Sequence, residues 1–277
     1  MVVVSATVAD RTFTGVESTA PLFISDEGLE GWYDPAPLRS DFVARSSADG
    51  EYEPIDLFTT GREIVFRGGH HATTDGEAQA TAAWMAALVK QRTTFSVTDG
   101  LGTLSAGVIL RNVRTRFPMP YRLEFEAVFR AADPRKYGPE VTQSGSSSSD
   151  TTSGGLLFPI FDVTGFAEFT ETAGAYRKFL ANTGTVASFP ELTVAGPFEW
   201  FRFTLNGQVV EFVRDVPAGQ SVRLDLASES AWIGGSDVSG FLTRDEFFSV
   251  PAGGAWLQFF ADVSGVPFTV SSRSAWL

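Results

Sequence analysis

From Tyr121 to Arg130, apolar and polar side chains alternate with a period of two. Tyr121, Leu123, Phe125, Ala127 and Phe129 face one way; Arg122, Glu124, Glu126 and Arg130 face the other, with Val128 the exception. Such a run is a half-buried strand. A one-residue slip would bury four charges, so its register is strongly specified. The rest of the chain has the same texture of short apolar runs cut by turn residues. With 25 Phe against 5 Tyr and 3 Met, and 27 Gly, the 277 residues lean towards β architecture.

The alternation stops at Arg130, and the next apolar run starts at Leu156. Between them, Ala131–Gly155 holds Pro134 and Pro139, which remove backbone donors and bias Asp133 and Gly138 away from helix. From Gln143 to Gly155 the residues are Ser, Gly, Thr, one Asp and one Gln, which bury almost no apolar surface. The stretch reads as a domain boundary, a long surface loop inside one domain being the other reading. The expected organisation is an N-terminal domain over 1–137, a Gly/Ser-rich linker over 138–155, and a C-terminal domain over 156–277.

In the first part, Val2–Val8 and Phe13 suggest opening strands, and Leu22–Ile24 is a short apolar run before Asp26-Glu27-Gly28. From Gly31 to Pro54 the pattern breaks down, with Trp32, Tyr33, Phe42 and Tyr52 scattered among Pro, Ser, Asp and Gly. These aromatics either fold back onto their own domain or form an extended arm that docks on a neighbouring subunit. Arg62–Arg67 reads as a strand. His70 and His71 are adjacent and would point to opposite sides of a strand, so they are read as solvated turn residues rather than ligands. Thr74-Asp75-Gly76-Glu77 has the form of a capping box. It predicts a helix to about Gln91 with Ala80, Trp84, Ala87, Leu88 and Gln91 on one face. Thr93–Thr98 and Leu104–Leu110 follow as a hairpin, with Asp99-Gly100 expected to supply its positive φ angles.

The second part reads as a sandwich of short strands. Leu156–Val163, Phe166–Phe169, Glu191–Ala195, Trp200–Leu205, Gln208–Val213, Trp256–Asp262 and Pro267–Ser271 are candidate strands, and Val222, Leu224 and Leu226 mark another. Asn206-Gly207 is the strongest hairpin signal. Phe201, Phe203 and Leu205 share one face, answered across the turn by Val210 and Phe212. Trp200 and Trp256 are read as core packing, and no helix is expected here. The whole is mainly β with one helix.

Several function classes fall away. A chain of net charge −12 does not seek phosphate backbones, which speaks against sequence-specific nucleic-acid binding. No cysteine is present, so disulfides and thiolate metal sites are excluded; this fits a reducing compartment or a product stabilised by assembly. The start Met1–Thr7 has no basic region, and no run approaches the ~18 apolar residues of a spanning helix, so neither a secretion signal nor membrane insertion is expected. There is no Gly-x-Ser-x-Gly, no phosphate-binding loop and no zinc spacing, so no cofactor, metal or catalytic residue is assigned. The carboxylate pairs Glu168 with Glu171 and Asp245 with Glu246 can be nominated for glycoside hydrolysis, but 33 acidic residues produce such pairs by chance. A carbohydrate-binding module is the alternative outside catalysis. Trp232, beside Gly234-Gly235, is its candidate contact.

A set of ordered stretches carries a resemblance. These are Ala132–Tyr137, Asn182–Pro190 before Leu192–Pro197, the Asn-Gly hairpin before Val216–Asp225, and Phe247–Gly253 before the terminal Arg273-Ser274-Ala275-Trp276. Across Tyr121–Trp276 the chain resembles the C-terminal galectin-like β-sandwich of distal tail proteins, also called minor tail proteins, from long-tailed bacteriophages. The first part resembles that family's N-terminal ring-forming β domain more loosely. The resemblance implies a structural virion protein: a homo-oligomeric ring, a hexamer, that joins the tail tube protein to the tail-tip hub or baseplate. It implies a location at the virion tail tip after assembly in the host cytoplasm, with host glycan as a further partner. Like charge along a lumen would let a genome slide past.

Overall fold

The computed structural model describes residues 4–15, 20–39, 43–52, 58–149 and 176–277. The chain divides into two compact units, Met1–Pro139 with Trp276–Leu277, and Glu140–Ala275.

The first unit contains β1 (Ser5–Val8), β2 (Arg11–Thr14), β3 (Leu22–Glu30), β4 (Val43–Ala44), β5 (Glu51–Tyr52), β6 (Arg62–His71), α1 (Asp75–Ala87), β7 (Arg92–Asp99), β8 (Gly102–Met119) and β9 (Arg122–Ala131). Strand β10 (Lys136–Ser146) begins in this unit. The hydrogen-bonded order β7-β1-β2-β3-β6-β9 is closed by β8, which pairs with both β9 and β7. Seven strands therefore form a barrel, which leaves its ladder no open ends along the paired stretch. All these pairings are antiparallel except β2 with β3. The alternation of Tyr121–Arg130 holds: Leu123, Phe125, Ala127 and Phe129 are buried and the charged residues face outward. Tyr121 drops out, being exposed in the turn before β9 with φ +64°. Inside, Phe66 meets Phe13, Phe95 and Phe125 edge-on at 5.1–5.4 Å between centroids, the geometry aromatic quadrupoles favour. Trp276 packs against this core.

Helix α1 starts where the capping residues place it. The Thr74 hydroxyl accepts from the Glu77 amide at 3.2 Å, while the Glu77 carboxylate reaches back to the amide and hydroxyl of Thr73. Its buried face matches the expected one in part, with Trp84 and Leu88 packed against the barrel core. Ala78, Thr81 and Met85 are inside, whereas Ala80, Ala87 and Gln91 are exposed, because alanines on every side leave the apolar stripe without a phase. The histidines end β6 rather than a solvated turn. His70 pairs with Leu22 and Leu123, and its Nδ1 lies 2.9 Å from the Thr81 hydroxyl; His71 stacks on Phe23. The β7–β8 hairpin also differs in detail. Gly102, not Asp99-Gly100, holds the positive φ (+102°), and Asp99 Oδ1 accepts from the Leu101 amide.

The second unit adds β11 (Ser148–Ser149), β12 (Arg177–Leu180), β13 (Glu191–Ala195), β14 (Phe198–Leu205), β15 (Gln208–Val216), β16 (Ser221–Asp225), β17 (Ser230–Ile233), β18 (Ser236–Asp237), β19 (Leu242–Asp245), β20 (Ala255–Ala261) and β21 (Pro267–Trp276). A 3-10 turn, Ser239–Phe241, precedes β19. One sheet runs β18-β17-β16-β13-β21, the other β11-β20-β14-β15-β19 with β12 beside β20. The two enclose one core, so the unit is a sandwich. Phe203 of β14, Phe259 of β20 and Phe268 of β21 meet in it at 4.5–5.7 Å. Asn206 and Gly207 both adopt positive φ, as a two-residue hairpin of this twist requires.

The linker expectation is corrected for residues 138–149. Strand β10 runs through Ser146 and β11 follows. Thr142 and Ser271 hydroxyls lie 3.2 Å apart, and Arg273 donates to Glu140 at 2.6 Å. Ser147 is buried, donating to the Val263 carbonyl and accepting from the Val266 amide. A ladder satisfies backbone polar groups without needing large side chains, which is why a Ser/Gly/Thr sequence can be ordered here. Residues 150–155, and the candidate strands Leu156–Val163 and Phe166–Phe169, lie outside the described residues.

Candidate interaction surfaces

The aromatics of Gly31–Pro54 separate into two groups. Trp32 is 1% exposed and packs on Phe95 within the barrel core, so it is removed from the candidate arm. Its segment is held by buried cations. The Arg62 guanidinium donates to the carbonyls of Gly31 (2.7 Å), Trp32 (3.2 Å), Asp34 (2.5 Å) and Pro134 (3.2 Å). Lys136 donates to the Trp32 carbonyl at 3.1 Å. Burial pulls both side chains below their ordinary pKa; Asp34 opposes this at Arg62, and the neighbouring Arg62 charge adds to it at Lys136. Gly31 sits at φ +79°, where a Cβ would collide with the Glu63 carbonyl, so the sharp entry into this segment needs glycine.

Tyr33 stays exposed, with its hydroxyl donating to Asp99 at 3.0 Å. Partial burial and that bond push its pKa up to about 12. Beyond it, Leu38 bridges Thr59, and the amides of Arg39 and Thr60 donate to the carbonyls of Phe58 and Pro37. The two ends of the excursion are thereby closed. Exposed throughout is the β4–β5 hairpin, which pairs with itself alone among the described residues. Tyr52 and its partner Val43 are each 60% exposed, and the Arg45 guanidinium lies 5.6 Å from the Tyr52 ring. Phe42 lies outside the described residues.

Strand β8 makes a second exposed feature. The sequence reading ended it at Leu110, but it continues to Met119 along β9, past an irregularity between Leu110 and Asn112. Its other edge, paired with β7 up to Ile109 and bridged to Val89 at Leu110, meets no strand beyond that point among the described residues. Phe117, Met119 and Tyr121 at its end are each at least half exposed. On its outward side a cleft of about 520 Å³ is lined by Arg67, Arg114, Arg116 and Arg122 together with Glu124 and Glu126. Arg67 bridges Glu30 and Glu126 at 2.9 and 2.8 Å, and Arg116 and Arg122 share Glu124.

In the second unit, Trp232 lies on β17 between Arg223 and Asp237, half-buried, with its Nε1 donating to the Ser230 hydroxyl at 2.9 Å. The structure corrects the reading of Trp200 and Trp256 as core. On β20 Ala255, Leu257, Phe259 and Ala261 point inward, which turns Trp256 outward at 53% exposure. Phe179, itself 41% exposed, lies 5.3 Å from its ring, and the Arg177 guanidinium 5.1 Å. Trp200 is likewise on the outer side of β14, half-buried. The strand phase was present in the sequence and identifies Trp256 as the more available ring. Of the carboxylate pairs, Glu168 and Glu171 lie outside the described residues. Glu246 accepts from the Val209 amide at 3.0 Å and from Arg244 at 3.1 Å, a structural engagement rather than a poised acid.

No protein-family model matches the chain, and no curated protein matches it in sequence. Its architecture does have counterparts. A closed barrel with one helix, followed in the same chain by a two-sheet sandwich, is similar in fold to chains from phage hub and baseplate structures. The Dit protein of phage SPP1, described as a paradigm of the hub adsorption apparatus in phages infecting Gram-positive bacteria, superposes with a TM-score of 0.63. It does so at 13% identity over 99% of both chains. A chain of the phage P2 baseplate in its activated conformation with Ca gives 0.54 at 9% identity, covering 99% of this chain and 98% of that one. The strontium form gives 0.53 at 10%, covering 98% of each. The likeness is one of fold, and it extends over the first unit as well as the stretch from Tyr121 onward.

Proposed function

We propose that the protein is a structural component of a long-tailed phage, forming a closed homohexameric ring that joins the tail tube to the tail-tip hub or baseplate. The observation that carries this reading is the full-length match of both units to Dit and baseplate chains. The role is architectural, not enzymatic. A ring is a heterologous assembly whose rotation closes, so each subunit presents two different matching surfaces. The β4–β5 hairpin with Tyr52, together with the exposed Tyr33, supplies one candidate. The net charge of −12 suits a ring through which nucleic acid passes without adhering. Antibody labelling of intact virions tests the location. Label confined to the end of the tail supports the proposal; label on the capsid, or none, rejects it.

A second reading coexists with the first. The exposed Trp256, flanked by Phe179 and Arg177, offers a flat aromatic surface and a hydrogen-bond donor, the combination on which a sugar ring stacks. It favours attachment to host cell-wall polysaccharide through Trp256 over the half-buried Trp232. Tryptophan fluorescence titrated with that polysaccharide reads it directly.

A further inference from the structure

The arginines of β8 and the carboxylates of the β4–β5 hairpin are complementary; among the described residues the hairpin pairs only with itself, and the β8 edge away from β9 meets no strand beyond Leu110. Between Gly100 and Leu123 the sequence has Arg111, Arg114, Arg116 and Arg122 and no carboxylate, in a chain with 33 acidic against 21 basic residues. Arg111 and Arg114 are exposed and lie on the part of β8 beyond the reach of β7. Among the described residues Arg114 has no ion-pair partner. The sequence from Asp41 to Asp56 has the opposite balance, with Asp41, Asp49, Glu51, Glu53 and Asp56 against the single Arg45, which lies over Tyr52. A two-stranded ribbon is marginal by itself in water, and an exposed strand edge is a template for another chain.

We infer that the β4–β5 hairpin of one copy docks along the Arg111–Phe117 edge of β8 in a second copy. Asp49 and Glu51 would lie against Arg111 and Arg114, and Tyr52 and Val43 would cover the apolar end at Phe117 and Met119. The contact is heterologous, since the hairpin and the edge are different surfaces, and its repetition generates a ring when the rotation closes. The inference rests on the ring reading and names the two faces it needs. Charges and prolines also serve to keep an edge unpaired. The three large apolar side chains exposed at the end of this one, Phe117, Met119 and Tyr121, argue for a covered surface.

The chain has no cysteine, so a cross-link can be placed unambiguously. One preparation carries Ser47→Cys, another Thr115→Cys, both at exposed positions. Mixing them under mild oxidation is expected to give a band of doubled mass well above that from either variant alone. Separately, R111E/R114E and D49R/E51R are each expected to raise the concentration for half-assembly by about tenfold or more, and their mixture to recover most of that loss. Circular dichroism of each variant confirms that the barrel is intact. An oligomer that is indifferent to both substitutions and yields no mixed cross-link overturns this contact while leaving the ring reading standing. A chain that is monomeric throughout and does not cross-link overturns both.

Discussion

The Lys136 ammonium donates to the carbonyl of Trp32 at 3.1 Å and lies 5.7 Å from the centroid of the Trp32 ring. The two are 104 residues apart, and the same carbonyl accepts from Arg62. Two buried cations thus hold a segment with irregular backbone by its carbonyl oxygens. This arrangement anchors the segment from Gly31 to Asp34.

Arg62→Ala is expected to destabilise the fold by about 1–3 kcal/mol, since the part-buried carbonyls of Gly31, Asp34 and Pro134 lose a charged donor that water replaces only in part. Lys136→Met should cost less, because Arg62 still serves the Trp32 carbonyl. Urea unfolding midpoints of the two variants check the order.

Alkaline stability depends on two tyrosines. Burial and a hydrogen bond to Asp99 raise Tyr33 to about 12, and burial with a bond to Asp133 raises Tyr137 as well. In the unfolded chain both titrate near 10. Above that pH the folded state retains protons the unfolded state has lost, so the stabilisation is complete below about pH 10 and is lost as the pH rises through the folded values. Tyr137→Phe and Tyr33→Phe should each flatten the fall in Tm between about pH 10 and 12. An unchanged slope in both would refute the linkage.

The phase of α1 is open to a direct check. Ala78→Lys places a charge in the barrel-facing side and should cost several kcal/mol, whereas Ala80→Lys, on the exposed side, should stay within about 0.5 kcal/mol of the parent. Thr74→Ala removes the acceptor for the Glu77 amide and should cost about 1 kcal/mol. Thermal melts of the three suffice.

Where side-chain burial dictates the backbone, the sequence was readable: the alternation in β9, the paired faces of β14 and β15, the Asn-Gly turn and the Thr74 cap. It was opaque where the backbone ladder alone orders the chain. Residues Arg111–Met119 of β8 and Glu140–Ser146 of β10 carry mostly exposed side chains with no buried apolar face, yet both are strands because a neighbour accepts and donates along them. Closure of the barrel was hidden for a related reason. It requires β9 to pair with β6 on one side and β8 on the other, and no local pattern records a partner that far away. Trp32 and Tyr52 looked equivalent as aromatics in a broken pattern; only the buried cations at 62 and 136 tell them apart. Trp256 was misread through its type, although the phase of its strand placed it outward.

For the sugar reading, Trp256→Ala should leave stability within about 0.5 kcal/mol of the parent, as expected for an exposed side chain. It should also abolish the fluorescence change on adding host wall polysaccharide. Trp232→Ala should retain most of that change. A response that survives loss of Trp256 and disappears with Trp232 would return the site to β17.

The assembly state is the most direct test of the account. Native mass measurement of the full-length protein should give six copies of the 29.9 kDa chain, about 179 kDa, as a closed species that does not grow with concentration. A single 29.9 kDa species at the highest soluble concentration, with no ring visible in negative stain, would contradict it.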